Sequence, residues 1–350
     1  MNPVPLPPNV SDHFYLCGER IAELRGLPPG DAPARRPEEW LGSTVTRWGS
    51  DRSGVTDLGP AGVLPDLIAA GQEAWLGNVH AARWGSSPAL LVKLLDAGQR
   101  LPVHAHPTRG FASRHLNCPF GKSEAWAVID TPAGGGTVFV GAHRPVSGDE
   151  WARLVTDQDT TAMLELLNPL TVHAGDGVFV PAGTPHAIDD GLIVVEVQEP
   201  TDFSILLEWR GFDIDGTEGA HLGLGFDVAL DAVRRDVFDA AMVDRLVRRA
   251  GEGSLRSILP DLADPYFRAW SVRTAAGPVT VPASFAVIVV LDGDGTLACT
   301  GDRRPIRRGD AFVVPYAAGE LTFDGTLSAI VAQPPDPSAA DPIEWDVGDD

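Results

Sequence analysis

Residues 98–107 read GQRLPVHAHP, and this stretch decides the fold prediction, because a glycine turn leads directly into a strand that carries two histidines. Successive side chains of a β-strand point to opposite faces, so His104 and His106 lie on the same face. A single histidine on an apolar face is usually a core residue, whereas two in phase favour a metal site. The stretch therefore predicts a strand that contributes two metal ligands.

Two later segments carry further side chains of the kinds that bind metals. In GKSEAW, residues 121–126, Glu124 shares a strand face with Lys122. In GDGVFVPAGTPH, residues 175–186, the turn PAGTP places His186 at the mouth of a strand. Three imidazoles and one carboxylate suit Zn²⁺, and also Fe²⁺, Mn²⁺, Co²⁺ or Ni²⁺. We predict one such ion per chain, no organic cofactor, and the ligand set His104, His106, Glu124 and His186.

Short strands separated by turns dominate the chain from residue 89 onward. The stretches that predict strands include LLVKLLD, SEAWAVID, GGGTVFVG, LTVHAGDGVFVP, GLIVVEVQEP, YFRAWSVRT, SFAVIVVLDG, GDAFVVPY and LSAIVAQ. Helical spacing occurs over 14–24, over 147–168 and over 227–250, and a Pro/Gly-rich loop is expected over 26–40. This pattern predicts a mainly β protein made of two jelly-roll β-barrels with helical insertions.

An internal echo supports a duplicated barrel. GDGVFVP begins at Gly175 and GDAFVVP begins at Gly309, and the sequence has no histidine after His221. We therefore predict an N-terminal metal-binding domain with helical insertions over 1–264 and a C-terminal domain without metal over 265–350.

The composition limits the class of partner. The chain has 350 residues and a formal net charge of −21, which disfavours binding to nucleic acid and to anionic membranes. No apolar run approaches transmembrane length, and the N-terminal residues lack the pattern of a signal peptide. The scattered cysteines Cys17, Cys118 and Cys299 indicate no disulfide framework. We expect a cytoplasmic protein, either a monomer or a weak homo-oligomer.

The spacing of these motifs resembles a known family. Gly98 followed after five residues by His104-x-His106 resembles the first cupin motif, and the 175–186 segment resembles the second. In the same order as in type I mannose-6-phosphate isomerases of the short bacterial form, the chain carries EEWLGSTVTRWGS, LLVKLLDAGQRLPVHAHP, FGKSEAWAVID, VFVPAGTPHAI and VVEVQEPTD. The resemblance covers residues 12–335 and implies the fold of two cupin barrels.

The resemblance also implies a function. The family interconverts mannose 6-phosphate and fructose 6-phosphate at a zinc ion, moving a proton between C1 and C2 through an enediol. Its ligands correspond to the set given above, except that His104 stands where glutamine is usual. Lys122 corresponds to a lysine beside the glutamate ligand, and we expect it to transfer a proton to or from the substrate.

One departure from the family pattern concerns a cation. The family's catalytic arginine corresponds to Leu206, and Arg210 is the next arginine along the chain, so it is our candidate substitute. Arg109 and Arg114 are candidates for receiving a phosphate.

Two other functions stay open at this point. The same ligands would serve a cupin oxygenase or oxidase that uses Fe, Mn or Ni. A non-catalytic sugar-binding cupin is the third reading, and Leu206 in place of the family arginine is its best support.

Overall fold

The computed structural model describes residues 1–17, 19–27 and 35–342. Its strands are β1 (Val4–Pro5), β2 (Glu38–Leu41), β3 (Leu91–Asp96), β4 (His104–Ala105), β5 (Glu124–Asp130), β6 (Gly136–Ala142), β7 (Leu167–Val172), β8 (Gly177–Val180), β9 (His186–Ile188), β10 (Ile193–Gln198), β11 (Ile205–Leu206), β12 (Val247–Arg248), β13 (Leu255–Ser257), β14 (Arg268–Arg273), β15 (Val279–Val281), β16 (Ala286–Cys299), β17 (Asp302–Arg307), β18 (Ala311–Val314) and β19 (Leu321–Gln333). Its α-helices are α1 (Arg20–Arg25), α2 (Leu64–Ala70), α3 (Gln72–Leu76), α4 (Asn78–Trp84), α5 (Arg109–His115), α6 (Gly148–Asp157), α7 (Thr160–Leu166), α8 (Gly216–Gly219), α9 (Phe226–Ala229) and α10 (Ala240–Arg245).

The strands form three antiparallel sheets. A six-stranded sheet has the order β12-β8-β5-β10-β3-β2, and a five-stranded sheet has the order β11-β4-β9-β6-β7. The third sheet has the order β1-β18-β16-β19-β14-β13, with β15 paired to β19 and β17 paired to β16. Its strands come from the C-terminal part of the chain, apart from β1 at the N-terminus.

The first two sheets face each other. Glu124, from the six-stranded sheet, contacts His106 and His186, which belong to the five-stranded sheet and its continuation. Both sheets also contribute apolar side chains to one buried cluster, for example Val194 on β10 and Val140 on β6. This pairing encloses the predicted ligands between two layers.

The sequence echo forms the same turn twice. Gly175 and Gly309 both have positive φ, of 91° and 88°, a backbone conformation that glycine adopts without steric cost. The aspartate after each glycine accepts a hydrogen bond from the backbone N–H three residues before it, at 3.0 Å for Asp176 and 2.9 Å for Asp310. A fully buried strand follows each turn, β8 and β18 respectively.

Two of the three predicted helical segments need correction. The segment over 147–168 forms α6 and α7, and the Ser147 hydroxyl accepts the Glu150 N–H at 3.2 Å, as the capping pattern predicts. The helix predicted over 14–24 begins only at Arg20, and its Gly18 lies outside the described residues. The segment over 227–250 breaks into α9, a short 3₁₀ turn, α10 and strand β12.

The break in the third segment has a tertiary cause. The Arg234 N–H donates to the Gly183 carbonyl at 2.8 Å, and the Phe238 N–H donates to the Ala142 carbonyl at 2.7 Å. These bonds hold the chain extended against the barrel, which overrides its helical spacing.

Parts of two other predictions lie outside the described residues, namely 28–34 of the loop predicted over 26–40 and 343–350 of the predicted C-terminal domain. The end of that loop, from Glu38, is strand β2. Within the described part of the chain, no helix has the length and apolar character needed to cross a bilayer.

Candidate active site

Three histidines meet between the two facing sheets. His104 on β4 and His186 on β9 are register partners on neighbouring strands, and His106 follows β4 by one residue. Their ring centroids are 4.1 Å apart for His104 and His186, and 4.9 Å apart for each pair that includes His106. One ring nitrogen from each lies within 4.8 Å of the others, and all three residues are buried. The two histidines two apart therefore share a face, as predicted.

Backbone carbonyls fix the orientation of all three imidazoles. The Nδ1 atoms lie 2.8 Å from carbonyl oxygens, those of Pro102 for His104, Phe203 for His106 and Thr184 for His186. An Nδ1–H that donates to a carbonyl leaves the Nε2 lone pair available, which is the usual arrangement around a metal-binding histidine. The tautomer that suits a metal is thus selected by the fold.

Glu124 completes the cluster from the opposite sheet. Its carboxylate oxygens lie 2.9 Å from His106 Nε2 and 3.2 Å from His186 Nε2. The His186 contact lacks hydrogen-bond geometry, so this buried nitrogen has no hydrogen-bond partner. A buried, unpartnered imidazole nitrogen costs free energy unless a ligand occupies it. The Trp126 indole N–H donates to Glu124 Oε1 at 3.1 Å, so Trp126 orients the carboxylate as well as filling the barrel.

The protonation states in the cluster suit a cation. Burial lowers the pKa of His104 well below its ordinary value, and the neighbouring His186 acts in the same direction. Burial also lowers the pKa of His106 to about 3, and the charge of Lys122 acts in the same direction. Burial alone would raise the pKa of Glu124, but the charges of Lys122 and His106 hold it well below its ordinary value. The site therefore presents neutral imidazoles at His104 and His106 and an ionised carboxylate at Glu124, the forms that bind zinc.

Both lysines of the sequence are buried beside this cluster. Lys122 Nζ donates to Glu124 Oε2 at 2.8 Å and lies 2.9 Å from His106 Nε2. Lys93 on β3 is the register partner of Glu196 on β10, and Glu196 Oε1 lies 3.5 Å from Lys122 Nζ. Burial raises the pKa of Glu196 to about 8, with Lys93 opposing the rise and Glu124 adding to it. Glu196 is therefore a carboxyl group that can hold or release a proton near neutral pH.

A cavity of about 310 Å³ opens beside the cluster, a volume at the lower end of those that hold small molecules. The proposed ligands His104 and Glu124, together with Lys122, line one part of it. Its remaining wall includes charged or polar residues from the N-terminal part of the chain, namely His13, Tyr15, Glu38, Arg47 and Trp48.

Leu206 lies directly opposite His104. The two residues are register partners of β11 and β4, so their Cβ atoms are about 5 Å apart. Leu206 is buried and forms part of the cavity wall. The two positions that depart from the family pattern are thus neighbours in space.

The structure does not bring Arg210 to this site. Its side chain is exposed, and its guanidinium donates to the Asp157 carbonyl at 2.9 Å. The backbone turns away from the strand because the N–H groups of Trp209 and Arg210 both donate to Gln158 Oε1. Arg210 is therefore not a cavity cation, and the prediction that it substitutes for the family arginine has no geometric support.

The two arginines considered for phosphate also lie elsewhere. Arg109 donates to Glu199 Oε1 at 2.6 Å, and its guanidinium stacks 5.4 Å from the Tyr266 ring. The other Glu199 oxygen accepts the Ser123 N–H at 2.8 Å, so Arg109 supports the turn that carries Lys122. Arg114 is exposed on α5.

Sequence reasoning missed several residues that line the cavity. Lys93, Glu196 and Glu38 sit on strands of the six-stranded sheet, in the same alternating phase as inward-facing tryptophans. A charged residue at the inward phase of an apolar strand was the available signal. His13 and Arg47 lie in loops without periodicity, and they gave no signal of this kind.

Several known proteins that are similar to this chain are named mannose-6-phosphate isomerases. A family model described as the cupin domain of mannose-6-phosphate isomerase matches residues 265–334. A mannose-6-phosphate isomerase of Bacillus subtilis is 27% identical over 243 residues, which cover 69% of this chain and 74% of the relative. The crystal structure of a mannose 6-phosphate isomerase from Bacillus subtilis superposes with a TM-score of 0.72 at 22% identity, over 95% of this chain and 100% of that chain. A zinc-bound mannose 6-phosphate isomerase superposes with a TM-score of 0.72 at 17% identity, over 96% and 100% of the two chains.

These findings confirm two predictions made from the sequence. The fold is mainly β and of the cupin class, and the chain is similar to type I mannose-6-phosphate isomerases. The buried cluster of His104, His106 and His186 suits a single Zn²⁺ ion.

Proposed function

We propose that this chain is a metal-dependent aldose–ketose isomerase that interconverts mannose 6-phosphate and fructose 6-phosphate. The observation that carries the proposal is the cluster of three oriented imidazoles and one carboxylate, with proton-transfer groups beside it in one cavity. The similarity to proteins named mannose-6-phosphate isomerases supports the choice of substrate.

The metal would be held by His104, His106, Glu124 and His186. The bound ion would stabilise the negative charge that develops on the substrate oxygens at C1 and C2. The support for this set is the convergence of three imidazoles, each with its Nδ1 against a backbone carbonyl, and the unpartnered Nε2 of His186.

Lys122 and Glu196 are our candidates for moving the proton between C1 and C2. Lys122 Nζ lies within reach of both Glu124 and Glu196, so a proton can pass between the amine and the Glu196 carboxyl. Both side chains are buried, which would limit exchange of the transferred proton with solvent. We assign Lys122 as the catalytic residue and Glu196 as its proton partner.

A coupled assay with mannose 6-phosphate tests the assignment. Lys122→Met should lower kcat by about 10²- to 10⁴-fold, the usual contribution of a positioned acid or base, without changing metal content. Arg210→Leu is the matched control because it also removes a cation but from an exposed site, and it should keep the parent's rate. Parental kcat in the Lys122 variant would show that the proton moves by another route.

The coupled assay, together with a measurement of oxygen consumption, decides between the three functions. A parent protein that binds zinc but fails to isomerise with Zn²⁺, Co²⁺ or Mn²⁺ would favour the sugar-binding cupin, for which Leu206 is the motivating observation. Oxygen consumption by the Fe-, Mn- or Ni-loaded protein would favour the oxygenase or oxidase.

We further propose a metal-binding cupin domain over 1–264 and a cupin-like domain without metal over 265–350. Support comes from the positions of the four ligands and from the family match within 265–334. We also propose a cytoplasmic monomer or weak homo-oligomer that binds neither nucleic acid nor membranes, supported by the net charge of −21 and by three free cysteines.

A further inference from the structure

Arg47 is a partly buried guanidinium in the cavity wall whose charge no carboxylate offsets. It donates from Nη1 to the Asp12 carbonyl at 2.6 Å, and its Nη2 lies 3.3 Å from His13 Nδ1. Within the described part of the chain, no carboxylate lies within 4 Å of it. Three other arginines are paired with buried acids, Arg20 with Asp96, Arg100 with Glu208 and Arg109 with Glu199.

His13 carries a second unused donor in the same wall. Because Arg47 can only donate, His13 Nδ1 is the acceptor and the ring proton is on Nε2. This Nε2 is buried and has no hydrogen-bond partner, because the carboxylate oxygen that faces it, Glu38 Oε2, is 3.6 Å away. Burial lowers the pKa of His13, so the ring is neutral and keeps this tautomer. A buried N–H without an acceptor indicates a place for a ligand oxygen.

The nearby acids are already engaged. Glu38 accepts from the Tyr15 hydroxyl and from Trp40 Nε1, and it lies 3.3 Å from Lys93 Nζ. Asp202 accepts the Trp48 N–H at 2.9 Å and lies 3.9 Å from Lys93 Nζ.

The other cations of the cavity are committed to carboxylates. Lys93 is shared among Glu38, Glu196 and Asp202, and Lys122 between Glu124 and Glu196. Among the described cavity residues, Arg47 is thus the permanent cation left for an anionic ligand.

We propose that Arg47 and His13 form the subsite that receives the phosphate group of the substrate, an inference that rests on the proposed function. In a hexose 6-phosphate, the phosphate is at the opposite end of the carbon chain from the reacting C1 and C2. A single site for both ends needs its anion-binding cation in the same cavity but away from the metal ligands. Arg47 lines the cavity and contacts none of the four proposed ligands.

Binding of mannitol 6-phosphate, which cannot isomerise, tests the subsite directly. With the zinc-loaded protein, calorimetry should show that Arg47→Met raises the Kd by about 10- to 100-fold, the usual loss when a hydrogen bond to a charged group is removed. The affinity of the Arg47 variant for inorganic phosphate, measured as a competing ligand, should fall by a similar factor. Arg52→Met is the matched control, because Arg52 is exposed in the same loop and outside the cavity wall, and it should bind both probes like the parent.

Two further variants separate a subsite from a structural role. Arg47→Lys keeps the charge and should recover part of the affinity, whereas His13→Phe removes the acceptor that orients Arg47. The His13 variant should raise KM for mannose 6-phosphate with little change in kcat, because the phosphate is remote from the reacting carbons.

The outcomes distinguish this inference from the proposed function. If the parent isomerises mannose 6-phosphate but Arg47→Met keeps the parental Kd for both probes, the subsite is wrong and the function stands. If Arg47→Met weakens the binding of mannitol 6-phosphate but not that of inorganic phosphate, Arg47 contacts the sugar and the phosphate assignment is overturned. If both probes depend on Arg47 but the parent does not isomerise, the subsite stands and the isomerase proposal fails.

Discussion

Replacing His186 by alanine tests the metal site at the residue whose neighbours are best defined. The imidazole is fully buried between His104 and Trp126, with ring centroids 4.1 and 5.6 Å away. Its removal leaves a small void and deletes the bond from Nδ1 to the Thr184 carbonyl, so we expect a destabilisation of about 1–3 kcal/mol. The apolar core of the barrel does not include this residue, and the fold should persist.

The effect on zinc binding should be larger than the effect on the fold. Zinc at 100 times its Kd stabilises a one-site protein by about 2.7 kcal/mol. With an unfolding entropy of about 2.1 cal/mol/K per residue, a 350-residue chain gains about 1.4 °C per kcal/mol, so the Tm of the parent should rise by about 4 °C. Outer-shell changes already weaken metal binding by about 10- to 100-fold, so losing a ligand should cost at least about 100-fold. At the same zinc concentration the stabilisation would then fall to about 0.4 kcal/mol, or about 0.6 °C.

Differential scanning fluorimetry with and without zinc, together with metal analysis, measures this loss. His173→Ala is the matched control, because that side chain is 60% exposed and lies outside the cluster, and its zinc-dependent rise in Tm should equal the parent's. Stoichiometric zinc and a parental rise in Tm in the His186 variant would refute the ligand assignment.

Two further predictions concern residues around the cavity. Burial alone would raise the pKa of Glu38, but His13, Lys93 and hydrogen bonds from neighbouring side chains outweigh it, so the net pKa lies below the ordinary value. The contribution of Glu38 to stability is therefore present above its unfolded pKa of about 4.3 and is lost as the pH falls below that value. Calorimetry from pH 3 to 7 should therefore show that Glu38→Gln lowers Tm at pH 7 and that the gap narrows in acid, and a constant gap would contradict this. Leu206→Arg should weaken zinc binding by at least about 10-fold, because it buries a cation beside the site. Adding His104→Gln should recover part of the zinc affinity, with a coupling free energy of about 0.5–3 kcal/mol between the two changes. Additive effects on zinc affinity and on kcat/KM would show that the two positions act independently.

The four proposed metal ligands could be predicted from the sequence because each lies in a short local pattern. His104 and His106 are two residues apart on one extended segment, Glu124 begins β5, and His186 follows the turn after a buried strand. These patterns need no knowledge of which strands are neighbours. Their side-chain chemistry then grouped them as one predicted set, and the resemblance to the cupin motifs implies the same set.

The charged residues behind the ligands could not be predicted in this way. Lys93 faces Glu196 only because β3 pairs with β10, and the two strands are separated by most of the first barrel. Pairing and register are tertiary properties, and a shift of one residue would turn each of these side chains to the other face. The failure of Arg210 has the same origin, since a side chain, that of Gln158 from the end of α6, redirects the backbone.

The two positions that depart from the family pattern, His104 and Leu206, are neighbours in the structure. They are register partners on β4 and β11. An uncharged leucine therefore lies beside the histidine that stands where the family usually has glutamine. An arginine at 206 would place a permanent cation about 5 Å from a residue that binds a divalent ion, whereas leucine leaves the attraction between the ion and Glu124 unopposed from that side. The cavity nevertheless keeps a guanidinium, because Arg47 enters it from the loop after β2. In the proposed subsite, the donors of Arg47 would bind the phosphate of the substrate, whereas Leu206 leaves no cation beside His104 from that strand.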